Sequence, residues 1–177
     1  MKDKLEMRLA GSGGQGVILG TIILAEAALL DDKYAAQSQS YGPEARGGMC
    51  KAEVVMSRNA IDFPKVECAD FLLALTQASL DRYIEDVRED AVIMIDSSLK
   101  MPKDAGGKKI IEVPILDTAK EVLKKPMVAN IVAVGAINAC LNLVSKDALE
   151  KAVLMHVPKG TEELNKAALE EGYRIAG

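Results

Sequence analysis

Short apolar runs alternate with longer helical patterns along most of the chain. Two of these runs, FLLAL at 71–75 and AVIMI at 91–95, are continuously apolar, which is typical of strands covered on both faces. The run at 5–10 begins the chain's regular structure and is followed at once by glycines. The pattern predicts six strands, at 5–10, 34–38, 51–57, 71–75, 91–95 and 108–113.

Helical patterns separate or follow these strands. The helix at 17–30 is mostly apolar, as expected of an element buried against a sheet. Thr118 and Glu121 have the spacing of a capping box and predict a short helix. This alternation predicts an α/β fold with a mostly parallel sheet, right-handed crossovers and a C-terminal helical flank, within a single domain over 1–177. The longer helices are predicted at 17–30, from a cap at Thr76 to about Val87, and at 127–144, 146–155 and 161–175.

The longest apolar stretch, at 127–144, is long enough to raise the question of a membrane span. Asn130, Asn138 and Asn142 interrupt it near one side of the helix, and three amides there are costly in lipid. We therefore predict a core helix that turns its amide edge toward water or a partner, and no membrane segment.

Net charge and aromatic content argue against nucleic-acid binding. Lys plus Arg is 22 and Asp plus Glu is 26, so the formal net charge is −4. An acidic chain is poorly suited to contact a phosphate backbone. Aromatic residues are 3 %, with no Trp, which leaves little material for stacking bases.

The chain is poor in catalytic groups. His156 is the one histidine, and no nucleophile or partner acid stands near it in a known pattern, so we interpret it as a residue at a helix end. Asp96 follows a buried strand, and we interpret it as a cap or loop residue rather than a catalytic acid. No catalytic residue is predicted.

The cysteines exclude a metal centre built by this chain alone. Cys50, Cys68 and Cys140 include no CxxC pair, so neither a zinc ribbon nor an iron–sulfur cluster is expected, and each cysteine is interpreted as a small hydrophobic residue. Few, scattered thiols and a charged start without a signal peptide predict a cytoplasmic protein.

A glycine-rich turn lies between the first predicted strand and the first predicted helix. Gly11, Gly13 and Gly16 fit the G-x-G-x-x-G pattern, with Gly14 and Gln15 between them. Such a turn lets the backbone approach a ligand closely and offers the N–H groups of a helix N-terminus to a phosphate. Close packing of strand on helix would need the same glycines, so both interpretations stay open. A ribose-binding acid is missing from 35–40, which disfavours a dinucleotide.

A second loop, at 40–48, combines Tyr41, Glu44 and Arg46 with three glycines and a proline. At the carboxyl end of the second strand it is expected to lie beside the glycine turn, where open α/β sheets bind ligands. Arg46 suits a carboxylate or a phosphate. Alternatively Glu44 pairs with Arg46, and Tyr41 packs at an interface.

The two loops together resemble a known family. GSGGQGVILGTIILAEA followed by QSYGPEARGG is similar to the gamma subunits of 2-oxoacid:ferredoxin oxidoreductases, most of all to those of 2-oxoglutarate type. The resemblance continues through CAD at 68–70 and MVANIVAVGA at 127–136 to ELNKAALEEGY at 163–173, and so covers nearly the whole chain. It implies a Rossmann-like three-layer domain.

The resemblance also implies a reaction and a division of labour. A 2-oxo acid is decarboxylated on thiamine diphosphate, electrons pass through [4Fe-4S] clusters to ferredoxin, and coenzyme A takes the acyl group. The thiamine diphosphate and the clusters belong to partner subunits, alpha and beta and in some complexes delta, and this chain holds none of them. It is expected to shape the complex or to contact coenzyme A at the predicted site, which comprises Gly11, Gly13, Gly14, Gln15, Gly16, Tyr41, Glu44 and Arg46.

A second hypothesis is a freestanding nucleotide-binding oxidoreductase of Rossmann type. The missing ribose acid disfavours it. A flavin or nicotinamide bound in equal amount to the purified chain would support this alternative.

Overall fold

The computed structural model describes residues 3–41, 48–100 and 106–177, with only the backbone of residue 41. Six strands and six α-helices alternate along it much as the hydrophobic pattern predicts. The strands are β1 (Lys4–Ser12), β2 (Tyr34–Tyr41), β3 (Met49–Ser57), β4 (Ala69–Ala74), β5 (Val87–Asp96) and β6 (Lys109–Val113). The helices are α1 (Val17–Leu30), α2 (Gln77–Tyr83), α3 (Ile115–Asp117), α4 (Ala129–Leu141), α5 (Lys146–His156) and α6 (Glu162–Ala176). A π turn (Thr118–Val122) and a 3-10 turn (Pro126–Val128) connect α3 to α4.

The six strands form one sheet in the order β2-β3-β1-β4-β5-β6. β1, β4, β5 and β6 pair in parallel, whereas β3 lies antiparallel between β1 and β2. In the described part of the chain, five strands therefore run in one direction and β3 runs against them. The predicted α/β class with a mostly parallel sheet is confirmed, and the reversal of β3 follows from its hairpin with β2.

Side chains along β1 alternate between the two faces of the sheet, and each face packs against a different layer of helices. Leu5, Met7 and Leu9 belong to the larger core cluster, together with α1, α4, α5 and α6. Ala10 points to the other face and joins a smaller cluster that includes Leu80 of α2. The C-terminal helices thus share one layer with α1, and the sheet lies between them and α2, which gives three layers.

The face that carries α2 also holds a buried ion pair. Arg8 is 3 % exposed, and its Nε lies 2.7 Å from Oε1 of Glu53 on the neighbouring strand β3. Its Nη1 donates to the carbonyl oxygen of Asp86 and its Nη2 to that of Val66. The charge of Arg8 is therefore paired with a carboxylate, and each of its three side-chain nitrogens donates a hydrogen bond, as a buried guanidinium requires.

Helices α4 and α6 cross with their backbones in contact. A Cβ on Gly172 would overlap the carbonyl oxygen of Val132, and a Cβ on Gly135 would overlap that of Leu169. Glycine at both positions is therefore required by packing, because no side chain fits between the two helices.

Two of the three amides predicted on one edge of α4, those of Asn130 and Asn138, are buried in this chain, whereas Asn142 at the helix end is exposed. Asn138 is buried, its Oδ1 accepts from the N–H groups of Leu143 and Val144, and its Nδ2 donates to the hydroxyl of Tyr173. Asn130 is buried as well, beside the glycine turn. The Asn138 side chain is therefore hydrogen-bonded within the chain, to backbone groups that follow the end of α4. No helix in the described ranges combines the length and apolar character needed to cross a bilayer.

Two local predictions are wrong, the end of α2 and the capping box at Thr118. Helix α2, capped by Thr76 as predicted, ends at Tyr83 rather than near Val87, because Val87 is buried and pairs with Ala69 in the sheet. The capping box is absent as well. Thr118 is buried inside a helical run that already starts at Ile115, and its side chain caps nothing.

Asp31 ties the end of α1 to the start of α5. Its Oδ2 accepts from the N–H of Ser145 and its Oδ1 from the Ser145 hydroxyl, both at 2.7 Å, and Lys33 Nζ lies 3.2 Å from Oδ2. Partial burial raises the pKa of Asp31, but the hydrogen bonds from Ser145 and Lys33 outweigh it and hold the pKa below its usual value.

Replacing Asp31 with asparagine should lower the free energy of unfolding by about 1–2 kcal/mol at pH 7, because the charged acceptor of these bonds is lost. The folded-state pKa lies below the unfolded value, so the contribution is complete above about pH 4 and is lost as the pH falls through the folded value. Melting temperatures of the two proteins should differ at neutral pH and converge in acid. A difference that stays constant down to pH 2 would contradict this assignment.

Candidate functional site

The glycine turn connects β1 to α1 at the carboxyl edge of the sheet. Gly14 has φ +101° and Gly16 has φ +71°, so both adopt the left-handed conformation that glycine tolerates best. A Cβ on Gly14 would meet no atom within 4 Å, whereas a Cβ on Gly16 would lie 2.8 Å from Nδ2 of Asn130. The turn is therefore open at Gly14 and tightly packed against α4 at Gly16.

Gln15 folds back over the turn. Its Oε1 accepts from the N–H of Ser12 at 2.7 Å, and its Nε2 donates to the carbonyl oxygen of Leu75 at 3.4 Å. A Cβ on Gly11 would lie 2.5 Å from this Oε1, so the absence of a side chain at Gly11 makes room for the amide. In this arrangement Gln15 bridges the ends of β1 and β4.

Several backbone donors of the turn are already used. Gly13 N–H donates to Gly48 O at 2.9 Å, and Gln15 N–H donates to Ser12 O at 3.1 Å. The N–H groups of Gly14 and Gly16 make no hydrogen bond to another described residue. Helix α1 has no side-chain cap and no acid in its first turn, so its N-terminal donors add to these two. An anion is therefore expected nearest to Gly14, Gly16 and the start of α1.

The structure brings the two predicted loops together at their ends. The bond from Gly13 to Gly48 joins the turn to the end of the second loop. At its start, Tyr41 pairs with Cys50, which pairs in turn with Gly11. Glu44 and Arg46 lie outside the described residues, as does the Tyr41 side chain, so their proposed roles stay predictions.

The crevice beside the turn lies between β1 and β4. Helices α1 and α2 leave these strands toward opposite faces, which is the arrangement at which open α/β sheets bind ligands. Ser79 Oγ donates to Gly11 O at 3.3 Å and also bonds Oγ1 of Thr76 at 2.7 Å. Thr76 was predicted as a cap, but the contact of Ser79 with Gly11 was not predicted. The three-residue spacing of Thr76 and Ser79 is the signal that could have indicated their contact.

Asp96 and His156, the other polar residues considered as catalytic candidates, lie at the ends of β5 and α5. Asp96 is 1 % exposed, its Oδ2 accepts from the N–H of Leu116 at 2.8 Å, and its Oδ1 accepts from Ser98. Asp96 thus bonds backbone N–H groups of the turn that follows β5 and of the first turn of α3. His156 is the last residue of α5, and its Nε2 lies 4.0 Å from Oε2 of Glu26 without a hydrogen bond.

The described residues offer little for metal or thiol chemistry. In the ranges 3–41, 48–100 and 106–177, no group of three or more His, Cys, Asp and Glu side chains is placed to hold a metal ion. Burial raises the pKa of the Cys50 thiol, and burial also raises that of Cys140 despite the opposing charge of Lys109. Both thiols are therefore poor nucleophiles at neutral pH.

Comparison with known proteins identifies the family. The family described as pyruvate ferredoxin/flavodoxin oxidoreductase matches residues 6–175. The 2-oxoglutarate synthase subunit KorC of Methanocaldococcus jannaschii is 48 % identical over 99 % of this chain and 96 % of its own.

Two solved structures share the fold. The gamma subunit of a keto/oxoacid ferredoxin oxidoreductase from Geobacter sulfurreducens has a TM-score of 0.88 and 45 % identity, covering 98 % of this chain and 96 % of that one. A 2-oxoglutarate:ferredoxin oxidoreductase from Magnetococcus marinus, solved with 2-oxoglutarate, coenzyme A and succinyl-CoA, has a TM-score of 0.90 at 21 % identity, over 99 % of this chain and 31 % of that one.

The resemblance predicted from the two loops is thereby confirmed, and the comparisons support it over a freestanding nucleotide-binding oxidoreductase. The chain belongs to the pyruvate ferredoxin/flavodoxin oxidoreductase family, as a gamma-type subunit of a multisubunit 2-oxoacid:ferredoxin oxidoreductase.

Proposed function

We propose that this chain is the gamma subunit of a complex that converts 2-oxoglutarate and coenzyme A to succinyl-CoA, with ferredoxin as electron acceptor. The observation that carries the proposal is the 48 % identity, over nearly the full length of both chains, to a 2-oxoglutarate synthase subunit. The loop SYGPEARGG, which suggests the 2-oxoglutarate type in the sequence alone, supports the same substrate.

The cofactors of this reaction belong, in our proposal, to partner subunits. Alpha and beta subunits, with delta where present, hold thiamine diphosphate and the [4Fe-4S] clusters, and thiamine diphosphate supplies the carbanion chemistry. This chain adds no catalytic residue and acts by shaping the complex or by binding coenzyme A. Its three free cysteines suit the reducing cytoplasm, where we place the complex.

Coenzyme A is the ligand that we propose for the glycine turn. Its phosphates are anions, and the donors of Gly14 and Gly16 lie next to the positive end of α1. The opening above Gly14 leaves room for a phosphate, and Gly48, which ends the second loop, lies at the same edge. Arg46 would then supply the balancing charge.

Substrate comparison on the complete complex tests the proposed reaction. The chain is co-expressed with its partner subunits, and ferredoxin reduction is measured with coenzyme A and either 2-oxoglutarate or pyruvate. We expect kcat/KM to be higher for 2-oxoglutarate by about 100-fold, because a site built to bind a second carboxylate leaves buried polar groups unpaired with pyruvate. A complex that prefers pyruvate would refute the proposed substrate.

Replacing Gly13 with aspartate tests the coenzyme A contact. A carboxylate in the turn should raise the apparent KM for coenzyme A by roughly tenfold through repulsion of the phosphates, with the KM for 2-oxoglutarate unchanged. Gly13→Asn, which has the same size without the charge, should have a much smaller effect. If Gly13→Asp assembles and keeps its apparent affinity for coenzyme A, the turn does not bind the phosphates.

A further inference from the structure

An apolar groove of about 190 Å³ lies beside the glycine turn, on the side that faces α4. The start of α1, the start of α4, the segment after α5 and the start of α6 form its walls, so we refer to it as the α1–α4–α6 groove. None of the residues that line it carries a charge. The residues used in the argument are Leu19, Met127, Asn130, Ile131 and Leu164.

Two polar features of the groove have no hydrogen-bond partner among the described residues. Asn130 lines the groove and is only 7 % exposed, yet its side-chain amide makes no hydrogen bond to a described residue. The amide is therefore available to bond a group from outside this chain. Helix α1, whose residue Leu19 lines the same groove, begins at Gly16 without a side-chain cap. Both features offer donors to an acceptor, and no described residue supplies one.

We propose that the α1–α4–α6 groove receives an extended segment of a partner subunit. An aliphatic side chain of that segment fills the apolar part, and a neighbouring Asp or Glu carboxylate accepts from the Asn130 amide, near the N-terminus of α1. The inference rests on the proposed function only in requiring that the chain assembles with partner subunits. Charge complementarity supports it, because the first turn of α1 contains no acid that would repel the carboxylate.

The lining favours a protein segment over a phosphate-bearing ligand. No Lys or Arg lines the groove to balance a phosphate, and its volume is below the range typical of small-molecule pockets. Met127 lies at the groove and is 79 % exposed, although methionine is enriched in the buried parts of protein interfaces. An apolar side chain left this exposed is accounted for when a partner covers it.

Two substitutions test the contact in the co-expressed complex. Asn130→Asp places a carboxylate beside the N-terminus of α1, where the helix dipole favours it, but repels the partner's carboxylate. Met127→Glu charges the exposed part of the groove. Each should weaken binding of this chain to its partners by about tenfold or more, as expected for a central interface contact. Met155→Glu is the matched control, since Met155 is an exposed methionine outside the groove.

The dissociation constant is measured by titrating purified chain into the complex prepared without it. The wild type and Met155→Glu should bind equally, and all variants should melt near the wild-type temperature. Normal binding by both groove variants would overturn the inference, and normal binding with a loss of coenzyme A affinity would show a ligand site instead. A wild-type chain that does not bind these partners would refute the proposed function itself. If Asn130→Asp fails to fold, Met127→Glu decides alone.

Discussion

Replacing Gly172 with alanine should lower the free energy of unfolding by about 3 kcal/mol, the largest effect that we expect from a single methyl group in this chain. The added Cβ would overlap Val132 O and would also lie 2.9 Å from Ala136 N. These are backbone atoms of α4, so relief requires α4 and α6 to move apart. That movement would expose apolar surface between the two helices.

Gly20→Ala is the matched control, because Gly20 is also in a helix interior. A Cβ there would make ordinary contacts, 3.4 Å from Leu9 Cδ2 and 3.5 Å from Val134 Cγ2. Alanine is the better helix former, so this variant should be as stable as the wild type or more stable by up to about 1 kcal/mol. Urea unfolding measures both. Equal stability of Gly172→Ala and wild type would show that α4 and α6 do not cross as closely as described.

Replacing Gly16 with alanine should cost about 2–3 kcal/mol and disturb the candidate site directly. Its φ of +71° costs a residue with a side chain roughly 1–2 kcal/mol. The new Cβ would also lie 2.8–3.0 Å from side-chain atoms of Asn130, which is too close. The turn would have to shift, and the coenzyme A affinity of the complex should fall with it.

A double-mutant cycle separates the two causes. Asn130→Ala removes the amide atoms that the new methyl group would meet, so the combination Gly16→Ala with Asn130→Ala should recover about 1 kcal/mol relative to the sum of the single changes. The remainder is the cost of the left-handed backbone. Fully additive effects would show that Asn130 does not pack against Gly16.

The order of strands and helices along the chain could be predicted from the sequence, because it depends on hydrophobic periodicity and on glycines in the turns. The helix predicted at 17–30 has those bounds in the structure, and the turn before it has two left-handed glycines. The end of α2 was predicted too late. The sequence of residues 84–87 is compatible with either helix or strand. The pairing of Val87 with Ala69 in the sheet decides which structure forms.

Features that depend on distant contacts could not be predicted. The reversed position of β3 requires knowledge of which strands are neighbours, and residues 49–57 look the same in either direction. Gly135 and Gly172 are 37 positions apart, and nothing local shows that they meet. Asn130 was predicted on an edge facing water or a partner, but its packing against Gly16 was not predicted, because that contact depends on how α4 crosses α1.

Ferredoxin reduction by the complex with and without this chain tests most directly whether the chain is a working subunit. Partner subunits are purified alone and with the chain added back in equal amount, and the initial rate is measured with 2-oxoglutarate, coenzyme A and ferredoxin. We expect the rate to fall at least about tenfold without the chain and to return when the chain is added. Full turnover by the partner subunits alone would contradict its place as a working subunit of the oxidoreductase.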